Sequence, residues 1–165
     1  MTDTAPAAAV SVSGLVGMLQ RIFTTLDRIP YWFIALSARV FPAAVFWQSG
    51  QTKVAGWHLK PSTIALFQNE YQLPVIDPTA AAYLSAVGEH VLPVLLVLGF
   101  MTRFAALGLL FMTAVIQIFV YLGAWPTHGV WATCFLLLIA RGPGELSLDA
   151  LIARRFKAAP AAARR

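Results

Sequence analysis

Two stretches of this chain are apolar and long enough to cross a membrane, yet each carries a charged residue near its middle. Arg39 lies within residues 31–50, and Glu89, followed by His90, lies within residues 79–100. An unpaired charge at the centre of a bilayer costs at least ~2.5 kcal/mol on insertion scales. If the two stretches are neighbouring antiparallel helices, the charges reach similar depths. We therefore expect an Arg39–Glu89 ion pair with bidentate hydrogen bonds.

Such a pair has two interpretations: it fixes the register of two helices, or it lines a site for protons, quinone or another substrate. Polar side chains on all four predicted helices, clustered in the outward half, favour a site. The candidate catalytic residues are Arg39, Glu89 and His90, and the candidate cofactor-binding residues are Lys53, Gln117, Tyr121 and His128. His90 points about 100° away from Glu89 around a helix. Its alternative role is a structural hydrogen bond to a neighbouring helix.

The composition is typical of a membrane protein. Hydrophobic residues make up 59% of the chain, charged residues 12%, and the mean hydropathy is +0.72, whereas soluble domains are about a quarter charged. Short connections between the apolar stretches predict an all-α membrane protein built as an antiparallel four-transmembrane-helix bundle. The net charge of +5 is not grouped as nucleic-acid contacts would be, so we expect no nucleic-acid partner. The four predicted spans are residues 31–50, 79–100, 103–123 and about 126–142.

The chain divides into three predicted parts. Residues 1–29 form a cytoplasmic tail and an amphipathic interfacial helix, residues 30–142 the bundle with an outer loop at 51–78, and residues 143–165 a cytoplasmic amphipathic tail. A fifth span is the alternative for the first part. Lys and Arg concentrate on the side that holds both termini, which predicts cytoplasmic termini in a multi-pass protein of a bacterial-type inner membrane.

The outer loop contains a further predicted helix. The segment "PSTIALFQNEY", residues 61–71, predicts a short helix capped by Ser62 or Thr63, which would cover an outward cavity.

Cys134 is the single cysteine, so a thiol–disulfide cycle would need a partner protein. The three histidines lack the close spacing of metal ligands, and we expect no metal site.

Several motifs between about Arg39 and Ile152 occur together. They are "FWQSGQTKVAGW", "LFQNEYQLPVI", "AVGEHVLPVLLVLGFMTRFAAL", "MTAVIQIFVYLGAWPTHGVWA" and "RGPGELSLD". In this combination the chain resembles the DoxX family of small four-span membrane proteins. The residues that match charged motif positions are Arg39, Lys53, Glu89, Arg103 and Asp149.

The resemblance implies a subunit of a membrane oxidoreductase, as in the DoxD-like part of thiosulfate:quinone oxidoreductase, linked to thiol, sulfur or oxidative-stress chemistry. Quinone is then the expected cofactor, and partner subunits or a homo-oligomer within the lipid bilayer would supply the redox centre. Similar chains also tend to be encoded beside enzymes that modify metal-binding peptides. The alternative function is therefore non-enzymatic: small-molecule binding, transport or scaffolding, as an accessory to a metal-binding peptide pathway.

Overall fold

The structure is a computed structural model that describes residues 12–162, with side chains described for residues 14–156. Helices dominate it, joined by short turns and by one long loop that contains a small hairpin. The elements are α1 (Val12–Leu26), α2 (Tyr31–Lys53), β1 (Val54–Ala55), β2 (His58–Leu59), α3 (Pro61–Leu66), a π-helical turn (Phe67–Tyr71), α4 (Pro78–Leu98), α5 (Thr102–Phe119), a 3-10 turn (Leu122–Ala124), α6 (Trp125–Arg141) and α7 (Leu148–Ala162).

The described residues form two compact units, one ending at Tyr31 and the other beginning at Trp32. In the second unit, α4, α5 and the segment Leu122–Arg141 are each long and apolar enough to cross a membrane; a fourth span is counted if α1 and α2 are one broken span. The prediction of an all-α membrane protein is confirmed. The complete four-helix bundle and the interfacial placement of the terminal helices remain predictions.

Small residues make up much of the core of the second unit, which lets helix backbones approach closely. Phe46 of α2 fills the space beside α6, with its ring centroid 5.6 Å from Trp131 and 6.0 Å from Phe135. The helix surfaces that face away from this core carry large exposed apolar side chains, as lipid contact requires. The buried small residues are Ala35, Ala38, Ala43, Ala81, Ala82, Ala86, Ala105 and Ala106.

The outer loop contains the predicted helix, but the predicted cap is wrong. Helix α3 begins at Pro61 after an N-cap residue, Lys60, that makes no side-chain capping bond. Thr63 instead donates from Oγ1 to the Lys53 carbonyl at 2.9 Å. Its hydroxyl is therefore used to hold the end of α2, and the fixed φ of Pro61 starts α3 without a capping side chain.

The C-terminal segment folds back to the turn between α4 and α5. Asp149 lies in the first turn of α7, as predicted, and its Oδ1 and Oδ2 accept bonds of 2.9 Å from the backbone N–H groups of Met101 and Thr102. Asp149 therefore caps the start of α5. The predicted basic face of the tail extends to Lys157, Arg164 and Arg165, whose side chains lie outside the described residues.

Candidate functional site

Lys53 and Glu89 form a buried ion pair between α2 and α4. Lys53 Nζ donates to Glu89 Oε2 at 2.8 Å and to Oε1 at 3.0 Å. The two side chains are only 7% and 2% exposed. Each charged group makes one further hydrogen bond. Lys53 Nζ donates to Ser49 Oγ at 3.0 Å, and Glu89 Oε1 accepts from Ser85 Oγ at 3.3 Å. A bidentate, hydrogen-bonded pair offsets the desolvation cost that either buried charge would carry alone.

The end of α2 is held in place so that Lys53 reaches Glu89. The Lys53 carbonyl accepts from Thr63 Oγ1 and from the Lys60 backbone N–H at 3.0 Å, which joins it to the start of α3. Gly50, one turn earlier, allows α2 and α4 to approach closely. A Cβ at that position would lie 2.9 Å from His90 Cε1 and 3.1 Å from Glu89 Cβ. The close crossing brings the lysine and the carboxylate within hydrogen-bonding distance.

An apolar cavity of about 580 Å³ lies beside this pair, between α4 and α5. Ser85 and Glu89 lie in its wall, and the outer loop covers one end of it. Leu84 and Phe111 also line the cavity and are 64% and 69% exposed, so the cavity reaches the surface of the helix pair. The remaining lining is almost wholly aliphatic and aromatic: Phe67, Leu73, Pro74, Val75, Ile76, Leu92, Met112, Val115, Ile116, Phe119 and Val120.

Tyr71, at the end of the π-helical turn, adds a hydroxyl to the cavity wall. Its ring packs on Phe67 with centroids 4.6 Å apart, and its hydroxyl interacts with Tyr121. The pKa of Tyr71 is raised to about 12. Burial is the largest cause, and the interaction with Tyr121 and the negative charge of Glu89 are the next largest. The phenol therefore stays protonated at physiological pH. Tyr121, a predicted site residue, thus reaches the cavity wall through Tyr71.

The predicted Arg39–Glu89 pair is wrong. Arg39 is fully buried, but it donates to the Val97 carbonyl at 3.3 Å and to the Leu146 carbonyl at 2.5 Å. Val97 is eight residues beyond Glu89, about 12 Å of helix rise. Helix α2 continues past residue 50 to Lys53, so the residue level with Glu89 is the lysine at its end. Arg39 lies too far toward the other end of the helix pair.

Arg39, within α2, instead contacts the end of α4 and the segment before α7. Its two bonds reach the last turn of α4 and the loop before α7, and Asp149 is the acidic group with which it interacts electrostatically. Gly99, with φ of +68°, ends α4 beside the guanidinium. Arg39 is therefore placed to stabilise the fold at this end of the unit, away from the cavity.

His90 faces the other side of α4. Its Nδ1–H donates to the Ala86 carbonyl at 2.6 Å, and the Gln51 amide donates to its Nε2 at 3.0 Å. Both ring nitrogens are thus satisfied, as the alternative structural role predicts. Trp47 packs 5.2 Å from the ring, and both line a separate cavity of about 560 Å³. His90 is not part of the Lys53–Glu89 site.

Gln117 and His128 connect α5 and α6. His128 Nδ1–H donates to Gln117 Oε1 at 2.7 Å, and Gln117 Nε2 donates to the Leu122 carbonyl at 2.8 Å. Neither residue lines the apolar cavity. Of the predicted site residues, the structure brings together Lys53, Glu89 and, through Tyr71, Tyr121.

Two hydroxyl groups that were not among the predicted site residues complete the site. Ser49 and Ser85 each lie four residues before the charged residue that they contact, Lys53 and Glu89. Residues four apart share a helix face, so this spacing was a usable signal for both serines. Among the described residues, no group of three or more His, Cys, Asp or Glu is placed to hold a metal ion.

The fold and the buried charges define a multi-pass helical membrane protein with an ion pair beside an apolar cavity. The DoxX family model matches residues 34–122, more than half of the chain, and the chain therefore belongs to the DoxX family. This match confirms the resemblance seen in the motifs, although the terminal "RGPGELSLD" lies beyond the matched residues. No curated protein and no solved structure matches the sequence.

Proposed function

We propose that this DoxX protein is a quinone-linked subunit of a membrane oxidoreductase and that the cavity between α4 and α5 binds the quinone. The observation that supports this proposal is the placement of Glu89, which is ion-paired with buried Lys53, in the wall of an apolar cavity of about 580 Å³. Small-molecule sites are usually about 300–1,000 Å³, mostly apolar, with a few convergent polar groups. The cavity has that volume and that chemistry.

The residues present suit a quinone with an isoprenoid tail. The aliphatic lining matches the ring face and the tail, and the exposed Leu84 and Phe111 mark a route by which the tail would reach the acyl chains. Glu89, Ser85 and Tyr71 are the polar groups that would meet the head group. When bound, the quinone would supply two-electron redox chemistry.

The chain's own residues would bind and orient the head group and exclude water. Lys53 and Glu89 hold a proton in a hydrogen-bonded pair at the cavity wall, where a buried pair is suited to exchange it with a ligand. Cys134 is the single cysteine in the chain. The thiol, sulfur or oxidative-stress substrate and a further redox centre would therefore come from partner subunits or from another copy within a homo-oligomer.

We test ligand binding with purified protein in lipid nanodiscs. A short-chain benzoquinone should raise the melting temperature of the wild type in a saturable way, and Val115→Trp, which fills the cavity, should abolish that increase. Glu145→Gln, on an exposed side chain outside the cavity, is the control and should bind as the wild type does. Equal stabilisation of the wild type and Val115→Trp, or no stabilisation of either, would contradict the proposal.

Our proposal for the membrane is a bacterial-type inner membrane with both termini in the cytoplasm. In a Cys134→Ser background, a cysteine at exposed Gln68 in the outer loop should react with an impermeant maleimide in intact cells. A cysteine at exposed Glu145, after α6, should react only after permeabilisation. The opposite labelling pattern would reverse the topology.

A second function, non-enzymatic binding, transport or scaffolding, is favoured by one observation. The Lys53–Glu89 pair, His90, Gln117 and His128 are all engaged in internal hydrogen bonds, as purely structural groups would be. Under this function, the cellular phenotype of Glu89→Gln should follow protein abundance. Under the oxidoreductase function, quinone-dependent turnover per folded protein should fall.

A further inference from the structure

We propose that the cavity selects a neutral ligand whose head group donates a hydrogen bond, and thus prefers a quinol to the corresponding quinone. This inference rests on the proposed role of the cavity as a ligand site. Once the internal hydrogen bonds are made, the polar groups at the cavity wall keep more acceptor than donor capacity for a ligand.

The donors of the ion pair are all in use. A lysine ammonium has three N–H groups, and those of Lys53 reach Ser49 Oγ at 3.0 Å, Glu89 Oε1 at 3.0 Å and Glu89 Oε2 at 2.8 Å. The lysine therefore has no N–H left for a ligand. An acceptor-only head group would have to displace one of these three bonds.

The Ser85 hydroxyl at the cavity wall is also in use, because it donates its hydrogen to Glu89 Oε1 at 3.3 Å. The Tyr71 hydroxyl interacts with Tyr121, which does not line the cavity. A ligand with only carbonyl or ether oxygens would thus find no free donor on Lys53 or Ser85.

Acceptor capacity remains at Glu89. A carboxylate has about four acceptor positions, and among the described residues Lys53 fills two and Ser85 one. The position left open is on Oε2, in a carboxylate that is only 2% exposed. Pro93 lies four residues after Glu89 and has no N–H, so the Glu89 carbonyl also lacks its usual helical partner.

A head group with a hydroxyl can donate a hydrogen bond to the open acceptor on Glu89 Oε2. A head group that can only accept would instead place its oxygen against the carboxylate oxygen, without a hydrogen bond between them. Hydrogen bonds to a charged group are stronger than those between neutral groups. Since about 1.4 kcal/mol is a tenfold change in affinity, a donor head group should bind at least about tenfold more tightly. An ammonium head group is disfavoured because Lys53 lies beside the same carboxylate.

The test compares three ligands with the same tail: decylhydroquinone, its dimethyl ether and decylbenzoquinone. Their dissociation constants are measured anaerobically by calorimetry on the full chain in nanodiscs. We expect decylhydroquinone to bind at least about tenfold more tightly than the other two. Equal affinities, or tighter binding of the quinone, would overturn the donor preference and leave the proposed function standing. Failure of all three to bind would instead reject the cavity as a ligand site.

Two variants report on the groups involved. Glu89→Gln replaces one carboxylate oxygen with an N–H donor, so the preference for decylhydroquinone should disappear or reverse. Glu145→Gln makes the same change at an exposed site and should preserve the wild-type preference. If Glu89→Gln does not fold, Ser85→Ala replaces it: removal of that hydroxyl frees Oε1, and the hydroquinone preference should be kept or increased. Loss of the preference in Ser85→Ala would contradict the inference.

Discussion

Lys53 and Glu89, 36 positions apart in the chain, are joined by two hydrogen bonds of 2.8 and 3.0 Å within an almost fully buried contact. The lysine ends α2, and the glutamate lies in the middle of α4. This pair connects the small hairpin and α3, which hold Lys53, to the cavity wall, which contains Glu89. It sets both the register of the two helices and the polarity of the cavity.

Removing either partner of this pair should destabilise the protein strongly. Lys53→Met or Glu89→Leu alone leaves a buried charge without its partner, a loss of about 3–5 kcal/mol. The double variant Lys53→Met/Glu89→Leu should be more stable than the sum of the two losses predicts. The unfolding free energies of the wild type, the two single variants and the double variant, measured in mixed micelles, give this double-mutant cycle. Additive losses would show that the two side chains do not interact.

Gly99→Ala should destabilise the end of α4. A Cβ at Gly99 would overlap Arg39 Nη1 and Ser147 Cβ, and its φ of +68° disfavours other residues. Gly129→Ala in α6 is the matched control, because nothing lies within 4 Å of its added Cβ. Alanine there should be neutral or up to about 1 kcal/mol stabilising. Equal changes in melting temperature would contradict the predicted contact with Arg39.

Asp149→Ala should destabilise the protein more than Asp77→Ala. Both remove a carboxylate that caps a helix, Asp77 at α4 through the Ala80 N–H and Asp149 at α5 through two N–H groups. A lost cap costs about 0.5–2 kcal/mol. Asp149→Ala additionally removes the negative charge that interacts with buried Arg39. Melting temperatures of the two variants measure the difference, and a larger loss for Asp77→Ala would reject this role of Asp149.

Tyr71 should make stability depend on pH in the alkaline range. Its folded-state pKa of about 12 lies above the ordinary tyrosine value of 10.0, so its contribution to stability is complete below about pH 10 and is lost as pH rises toward 12. The wild type should therefore lose more stability than Tyr71→Phe between pH 10 and 12. Ultraviolet titration of the phenols, with Tyr83→Phe on an exposed tyrosine as control, follows the ionisation. An unchanged late-titrating phenol in Tyr71→Phe would assign the high pKa to another residue.

The amino-acid sequence alone determined the class of protein and most of its helices. Scarce charge and long apolar stretches are properties of local segments, and a bilayer permits few solutions for them. The short helix in the outer loop and the helix that begins near Asp149 were also visible from spacing and composition. The serines at Ser49 and Ser85 were within reach, because the four-residue spacing to their charged partners depends on the helix alone.

The tertiary structure decided which charges meet and where the cavity lies. Sequence placed Arg39 level with Glu89, but α2 extends to Lys53, and Gly50 and the hydrogen bonds to Thr63 and Lys60 bring the lysine to the carboxylate instead. Arg39 instead donates to carbonyl groups at the end of α4 and before α7, which its long side chain can reach. Relative helix position depends on contacts between distant parts of the chain. Arg39 and Lys53 lie 14 residues apart on α2, so a shift of about four turns, about 21 Å, exchanges one ion-pair partner of Glu89 for the other.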